Sequence, residues 1–343
     1  MIAFFQAHTP LAAMLLAGFF LWCYIVVASV EFGATLFILF PKLRGPRAVS
    51  VAQLLSPVWE VNNVFLVGFF VSLLAFFPGF IPWFATALFI PLSVFIVANG
   101  VRVLSVLIFF YSPFERIQQS LLARLVFATS AYTAMAAAAW GATVAIIGVT
   151  PELWLAQFAW LLVPAVLFAL AGLAAFAGVG MELFGGADSS TSPVKMFTDF
   201  SCVAYAASAV WFFKMVPLFA AHNIRSADVL WTSVALALAL ALAALGRLAR
   251  RPSAAFFALA ALVGILIFYV ISLQYPYLVY PFITAASAYT ATSTATILFI
   301  VCILGLVLVI PSLAVLYTLF LQKNKSYETG NNTIESEGNK IIT

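Results

Sequence analysis

Three ionisable residues lie far inside long apolar stretches of the chain: Glu31, Glu60 and Arg102. Each lies nine or ten residues from the predicted end of its stretch, which is roughly 14 Å along an α-helix. Because a charge in mid-membrane costs at least about 2.5–3.5 kcal/mol on insertion scales, such residues are functional candidates. Two carboxylates and a guanidinium at one depth predict a buried polar cluster that opens to the cytoplasmic side.

Two uses of this cluster are open at this point. The carboxylates of Glu31 and Glu60 could transfer protons, or the acids could form a closed ion pair with Arg102 that fixes the positions of the helices. Asn63 lies one helical turn beyond Glu60 on the same face. It is therefore placed to donate a hydrogen bond to Glu60 in either case.

The residues around this cluster require a bilayer. Of the 343 residues, 65% are hydrophobic and 8% are charged, whereas soluble domains are roughly 45–50% apolar and about 25% charged. Apolar stretches separated by charged or Pro/Gly-rich segments predict an all-α polytopic membrane protein with nine transmembrane helices. The helices are expected near residues 11–40, 52–80, 83–111, 121–149, 153–184, 197–221, 228–246, 253–273 and 286–321.

The lysines and arginines orient the predicted helices. Twelve of them lie in one set of alternate loops and the C-terminal tail, and only Arg225 lies in the other set. The positive-inside rule therefore predicts that the N-terminus is outside and the C-terminus is in the cytoplasm.

We expect residues 1–321 to form a single membrane domain. The polar segment 322–343, which has little to bury, is expected to be a disordered tail.

The remaining ionisable side chains indicate no complete active site in this chain. His8 and His222 are its only histidines, and both are predicted at the outer surface, so a buried haem or metal would lack imidazole ligands. Hydrolase, zinc and phosphate-loop motifs are absent from the sequence. Its basic residues lie mostly in loops on one side of the predicted membrane and do not cluster on one face of a folded domain. Binding to nucleic acid is therefore not expected. Glu182 and Asp199 are expected to be solvated at the cytoplasmic interface.

The segment around Glu60 resembles a motif of a known family. Residues 56–65 read Ser-Pro-Val-Trp-Glu-Val-Asn-Asn-Val-Phe. They are similar to Gly-Pro-Val-Trp-Asp-Gly-Asn-Glu-Val-Trp in cytochrome bd quinol oxidase subunit II, and Pro57, Trp59 and Asn62 are shared. The position at the start of the second predicted helix, after a basic loop, matches as well.

Other segments extend the resemblance over nearly the whole chain. Residues 275–279, Tyr-Pro-Tyr-Leu-Val, are similar to the Tyr-Pro-Asn-Leu-Val loop of the family. Residues 291–298, before the last helix, are similar to its Ala-Ser-Ser and Thr-Leu segment. The middle third of the chain matches only in hydropathy.

The chain also departs from the family pattern. Residues 28–33 read Ala-Ser-Val-Glu-Phe-Gly where family members usually have Asp-Gly-Phe-Asp-Leu-Gly. Ala28 thus replaces the first acid and Glu31 keeps the second. Glu60 replaces the aspartate of the motif, and Asn63 replaces its glutamate. A carboxyl group is kept at two of the matched positions, so the resemblance is to a divergent member.

The resemblance implies a partner, subunit I, that carries three haems, oxidises quinol and reduces oxygen to water. This chain would then be a non-haem scaffold in a prokaryotic cell membrane and a lateral proton supply, with Glu60 and Glu31 as the proton route and Arg102 and Asn63 as supporting polar groups. The haems are expected in the partner and none in this chain. A structural quinone and small accessory subunits are compatible with the resemblance.

Two alternatives compete with this interpretation. A secondary transporter would also have many spans, midplane charges and broken helices. It should show paired halves, however, and the pattern of Glu31, Glu60 and Arg102 has no convincing duplicate later in the sequence. The second alternative is a paralogue that supports another membrane redox partner.

Overall fold

The chain folds into a bundle of long apolar helices. The computed structural model describes residues 2–40, 51–111, 120–147, 159–184, 193–219, 226–279, 282–312 and 315. The helices are α1 (Ile2–Leu39), α2 (Val51–Phe76), α3 (Ile81–Ala87), α4 (Phe89–Tyr111), α5 (Leu121–Ile147), α6 (Ala159–Phe184), α7 (Pro193–Phe219), α8 (Ser226–Leu248), α9 (Pro252–Gln274), α10 (Ala285–Ala288) and α11 (Thr292–Ser312). Strands β1 (Tyr277–Val279) and β2 (Ile283–Thr284) pair antiparallel.

The all-α membrane fold is confirmed. Within the described ranges, 8 helices are long and apolar enough to cross a bilayer, and a bent pair of helices brings the number to 9 when it is counted as one span. This bent pair joins Asn62–Phe76 to Pro78–Phe84 at an angle of 96°. Proline cannot donate the hydrogen bond that would continue α2, so a short 3-10 turn, Pro78–Phe80, begins there.

The predicted boundaries at the bend and before the last span differ from the structure. The second span was expected to run to residue 80, but α2 ends at Phe76. The third was expected from residue 83, but α3 is a separate short helix and α4 begins only at Phe89. The last span begins at Thr292 and not at 286, because the hairpin and α10 occupy this stretch.

Helix α1 lies at the centre of the bundle, in contact with α2, α5, α6 and α9. The contact with α6 is close enough to require glycine. A Cβ atom at Gly33 would lie 2.0 Å from the carbonyl oxygen of Leu173 and 2.7 Å from Cβ of Ala177. The absence of a side chain at Gly33 thus lets α6 approach α1 two residues beyond Glu31.

Replacing Gly33 with alanine is expected to destabilise the bundle, because the new methyl group would collide with the α6 backbone. Overpacking of this kind typically costs about 1–3 kcal/mol. The measurement is the melting temperature of the purified protein in detergent, compared with Gly141→Ala, where the nearest atom to a new Cβ lies 3.9 Å away. Equal melting temperatures for the two variants would contradict the close approach.

Orientation in the membrane stays a prediction. Most of the basic residues that set it, and the predicted tail 322–343, lie outside the described residues. A reporter that works only in the cytoplasm, fused after Lys323, is expected to be active, since the tail is predicted to be cytoplasmic. A reporter active only outside the membrane at the same position would reverse the predicted topology.

Candidate functional site

Two of the predicted site residues meet in the interior of the bundle. Glu31 on α1 forms an ion pair with Arg102 on α4, in which Nη1 of Arg102 donates to Oε1 of Glu31. The side chains are 2% and 1% exposed. Both charges are therefore removed from solvent and from lipid.

Two asparagines and an aromatic ring complete this group, which we call the Glu31 cluster: Glu31, Arg102, Asn62, Asn99 and Phe32. The amide nitrogen of Asn62 on α2 donates to Oε2 of Glu31 at 2.6 Å. Nε of Arg102 donates to Oδ1 of Asn99 at 3.1 Å. The guanidinium carbon of Arg102 lies 4.4 Å from the centroid of the Phe32 ring, a distance at which a cation and an aromatic face attract.

The cluster lies well inside the membrane. Glu31 is eight residues from the end of α1 at Leu39 and Arg102 is nine from the end of α4 at Tyr111, which is roughly 12–14 Å along a helix. The hydrocarbon core is about 30 Å thick. Counted from these helix ends, both ionisable groups lie near its middle.

A pair at this depth is stable only if its groups are well hydrogen-bonded. Removing two charges from water is costly, and their attraction offsets that cost only with good geometry and further hydrogen bonds. Each carboxylate oxygen of Glu31 has a donor, and Arg102 has an acceptor and a ring in addition to Glu31. The Glu31 cluster thus joins α1, α2 and α4 through one nearly satisfied polar network.

The predicted partner acid is placed only by its backbone. Glu60, Pro57 and Trp59 lie in α2, but their side chains lie outside the described residues, so the predicted role of Glu60 and its hydrogen bond from Asn63 stay predictions. Asn63 itself is half-buried. The structure therefore brings Glu31 and Arg102 together and adds Asn62, which the sequence indicated only as a motif residue.

A second polar group lies at the C-terminal ends of α6 and α8 and near the N-terminal end of α7. Nη2 of Arg247 donates to Oδ1 of Asp199 at 2.6 Å and to Oε1 of Glu182 at 3.1 Å, and Nη1 donates to Oε2 of Glu182. The side chain of Glu182 is 4% exposed and that of Asp199 is 46% exposed. The expectation that both acids are solvated was wrong for Glu182.

Glu182 is buried because α8 is longer than predicted. This helix was expected to end at residue 246, with Arg247 in the following loop, but it continues to Leu248. Arg247 therefore lies in its last turn, where its guanidinium reaches two neighbouring helices. Cations are favourable at this end of a helix because its last carbonyl groups carry partial negative charge.

Two partners in the Glu31 cluster were missed from sequence. Asn99 lies three residues before Arg102, a spacing that puts two side chains on one helix face and could have been used. The contact of Asn62 with Glu31 joins residues 31 positions apart, and only the relative rotation of α1 and α2 determines it. Among the described residues, no group of three metal-binding side chains occurs.

Comparison with known proteins agrees with this architecture. The family model for cytochrome bd terminal oxidase subunit II matches residues 9–320. A Bacillus subtilis (strain 168) protein assigned as a cytochrome bd menaquinol oxidase subunit II is 36% identical over 85 residues, 24% of this chain. The matched segment spans only a quarter of that relative, 25% of its length.

A solved structure extends the similarity to the whole fold. The structure of bd oxidase from Geobacillus thermodenitrificans aligns over 91% of this chain and 98% of the matched chain, with a TM-score of 0.76 and 23% sequence identity. At this identity the likeness shows the fold and not the chemistry. The match of the family model over nearly the whole length carries the assignment: the chain belongs to the cytochrome bd terminal oxidase subunit II family.

Proposed function

We propose that this chain is the non-haem subunit of a quinol oxidase, bound in the cell membrane to a haem-bearing subunit I that oxidises quinol and reduces oxygen to water. Its own role is to hold the partner in place and to supply protons laterally from the cytoplasm. The family assignment supports the complex. The observation that carries the proton role is the buried Glu31 cluster.

The composition of this cluster is compatible with proton transfer as well as with a structural role in holding the helices together. A carboxyl group in the membrane centre is one of the few side chains that can hold and release a proton there, and intramembrane acids commonly mark proton relays. Glu31 is balanced by a single guanidinium and two neutral amides. The group is thus electrically neutral when Glu31 is ionised, and gain of a proton leaves one positive charge on Arg102.

Glu60 is the proposed second acid of the route. It lies two residues before Asn62 in α2, the helix that contacts Glu31 directly. It also stands at the position of the aspartate in the family motif. We therefore place Glu60 before or beside Glu31 on the path from the cytoplasm, with Asn63 supporting it.

The surface of the isolated chain is compatible with a large partner in the membrane. Only 6% of the apolar segment of α11 is buried inside the chain, whereas 50% of the corresponding segments of α6 and α9 is buried. Apolar side chains such as Ile303, Leu304 and Leu308 are exposed along α11. Lipid or a partner subunit would cover this helix in the membrane.

The proposal is tested by purifying the chain from its native membrane with an affinity tag. We expect a second, haem-bearing polypeptide to co-purify, and the preparation to consume oxygen when quinol is added. The separated tagged chain is expected to show no haem absorbance. Stoichiometric haem on this chain alone, or purification without any haem protein, would contradict the proposal, and the second result would favour a transporter.

A further inference from the structure

Two buried polar atoms beside Glu31 have no hydrogen-bond partner in the described part of the chain: Oδ1 of Asn62 and the hydroxyl of Tyr24. Asn62 is 1% exposed and Tyr24 is 3% exposed. A buried acceptor or donor without a partner destabilises the folded protein. Such atoms in a native protein usually bind an ordered water.

Both atoms belong to residues that lie near Glu31. The amide nitrogen of Asn62 already donates to Glu31 at 2.6 Å, so its Oδ1 lies in the same small region. Tyr24 precedes Glu31 by seven residues on α1, which places the two on one face of the helix. Tyr24 also belongs to the same buried core cluster as Phe32, the residue next to Glu31.

The chemistry of the two atoms is complementary through a water molecule. A tyrosine hydroxyl can donate a hydrogen bond to water, and water can donate to the amide oxygen of Asn62 and to a carboxylate. The carboxylate of Glu31 has about four acceptor positions, and two are taken by Arg102 and Asn62. A single water bridging these side chains would have three partners, which is within the 2–4 typical of buried water.

The surroundings limit this water to an isolated position. On the N-terminal side of Glu31 along α1, the bundle contains a partly open cavity of about 290 Å³. Its lining is almost wholly apolar and includes Leu21, Ile25, Phe69 and Met135 beside Tyr24. A buried water needs 2–4 polar partners, which this lining does not supply. A hydrated path that continues past Tyr24 toward the N-terminal end is therefore unfavourable.

We propose that Tyr24 and Asn62 form a binding site for one ordered water that hydrogen-bonds the carboxyl group of Glu31. The two residues are then positioning residues, because they act on the reaction only through Glu31. The functional part of this inference rests on the proposed proton role of Glu31, whereas the water site does not. The bound water holds the carboxyl group in one orientation whether or not it carries a proton.

The water site is tested directly by a cryo-electron microscopy map of the wild-type complex at a resolution that shows ordered water. We expect a density peak within hydrogen-bond distance, about 2.7–3.2 Å, of both the Tyr24 hydroxyl and Oδ1 of Asn62. A map that shows ordered water elsewhere in the membrane domain but none here would overturn the site. This result does not depend on any variant or on proton transfer.

The positioning role is tested with Tyr24→Phe, which removes only the hydroxyl group. The matched control is Tyr132→Phe, because the buried hydroxyl of Tyr132 on α5 also has no partner among the described residues and Tyr132 borders the same core. A hydrogen bond to a charged group contributes more than one between two neutral groups. In Tyr24→Phe only, we expect quinol-driven turnover to fall roughly tenfold and its pH profile to shift.

The outcomes separate the two proposals. Equal turnover and equal pH profiles for Tyr24→Phe and Tyr132→Phe would overturn the positioning role. If Glu31→Gln leaves turnover unchanged while the density is present, the proton role fails and the water site stands. Should Tyr24→Phe fail to assemble, Asn62→Leu is compared with wild type in the same assays, and unchanged turnover and pH profile would again overturn the positioning role.

Discussion

Replacement of Arg102 by glutamine is expected to prevent accumulation of the assembled complex. The substitution would leave the Glu31 carboxylate 2% exposed in the membrane interior without its ion-pair partner. Breaking a buried pair by removing one member costs about 3–5 kcal/mol, a large fraction of the 5–15 kcal/mol by which folded domains are stable. The measurement is the amount of this chain and of haem in purified membranes.

Two controls separate the loss of the ion pair from general damage. Arg102→Gln combined with Glu31→Gln leaves two neutral amides that can hydrogen-bond each other, so assembly should largely recover. Asp199→Asn removes a charge from the second polar group, where the acid is 46% exposed and Arg247 keeps Glu182. It is expected to cost no more than about 1 kcal/mol. Equal losses in Arg102→Gln and in the double variant would contradict a pairing role.

The sequence predicted the bundle well because membrane helices follow from local composition. A stretch of about 20 apolar residues spans the hydrocarbon core whatever surrounds it, and α5, α8 and α9 lie within two residues of their predicted bounds. A larger error occurs where the backbone leaves the helix at a proline. Apolar residues continue on both sides of Phe77 and Pro78, so the hydropathy of the stretch does not indicate the 96° bend there.

The site was predicted only in part, for a different reason. Depth in the membrane can be counted along a sequence, and it indicated Glu31 and Arg102 as candidates for contact. Rotation of each helix about its own axis cannot be counted in this way, because it is set by close contacts such as that of Gly33 with Leu173. Sequence reasoning therefore placed Asn63 beside Glu60, which stays a prediction, and did not indicate that the adjacent Asn62 faces Glu31.

The same limit applies to Glu182. Its position in the sequence placed this acid at the end of a predicted helix, where water would normally reach it. Its burial depends on two residues of α8 beyond the predicted end, the first of which is Arg247, whose guanidinium contacts Glu182 on α6 and Asp199 on α7. Long-range ion pairs of this kind follow from tertiary contacts and have no local signal.

Conversion of Glu60 to glutamine is expected to leave the complex assembled with normal haem content, but to slow quinol-driven oxygen consumption. Glutamine keeps the size and hydrogen-bonding capacity of the side chain and removes only the ability to take up a proton. Proton transfer by a positioned side chain typically contributes about 10²–10⁴-fold. A parallel water path would reduce this effect, so we expect a loss of at least roughly tenfold in turnover and in the accompanying proton uptake.

The variant that joins Glu31→Gln to Glu60→Gln decides between a proton route and a purely structural cluster. In the double variant the glutamine at position 31 can still accept a hydrogen bond from Arg102, so part of the polar network is kept. If protons pass these acids, turnover should fall at least as far as in Glu60→Gln, and Asp199→Asn should have little effect on the same assay. An assembled double variant that consumes oxygen and takes up protons at the wild-type rate would eliminate the route. Both acids would then serve only to fix the helices of a scaffold.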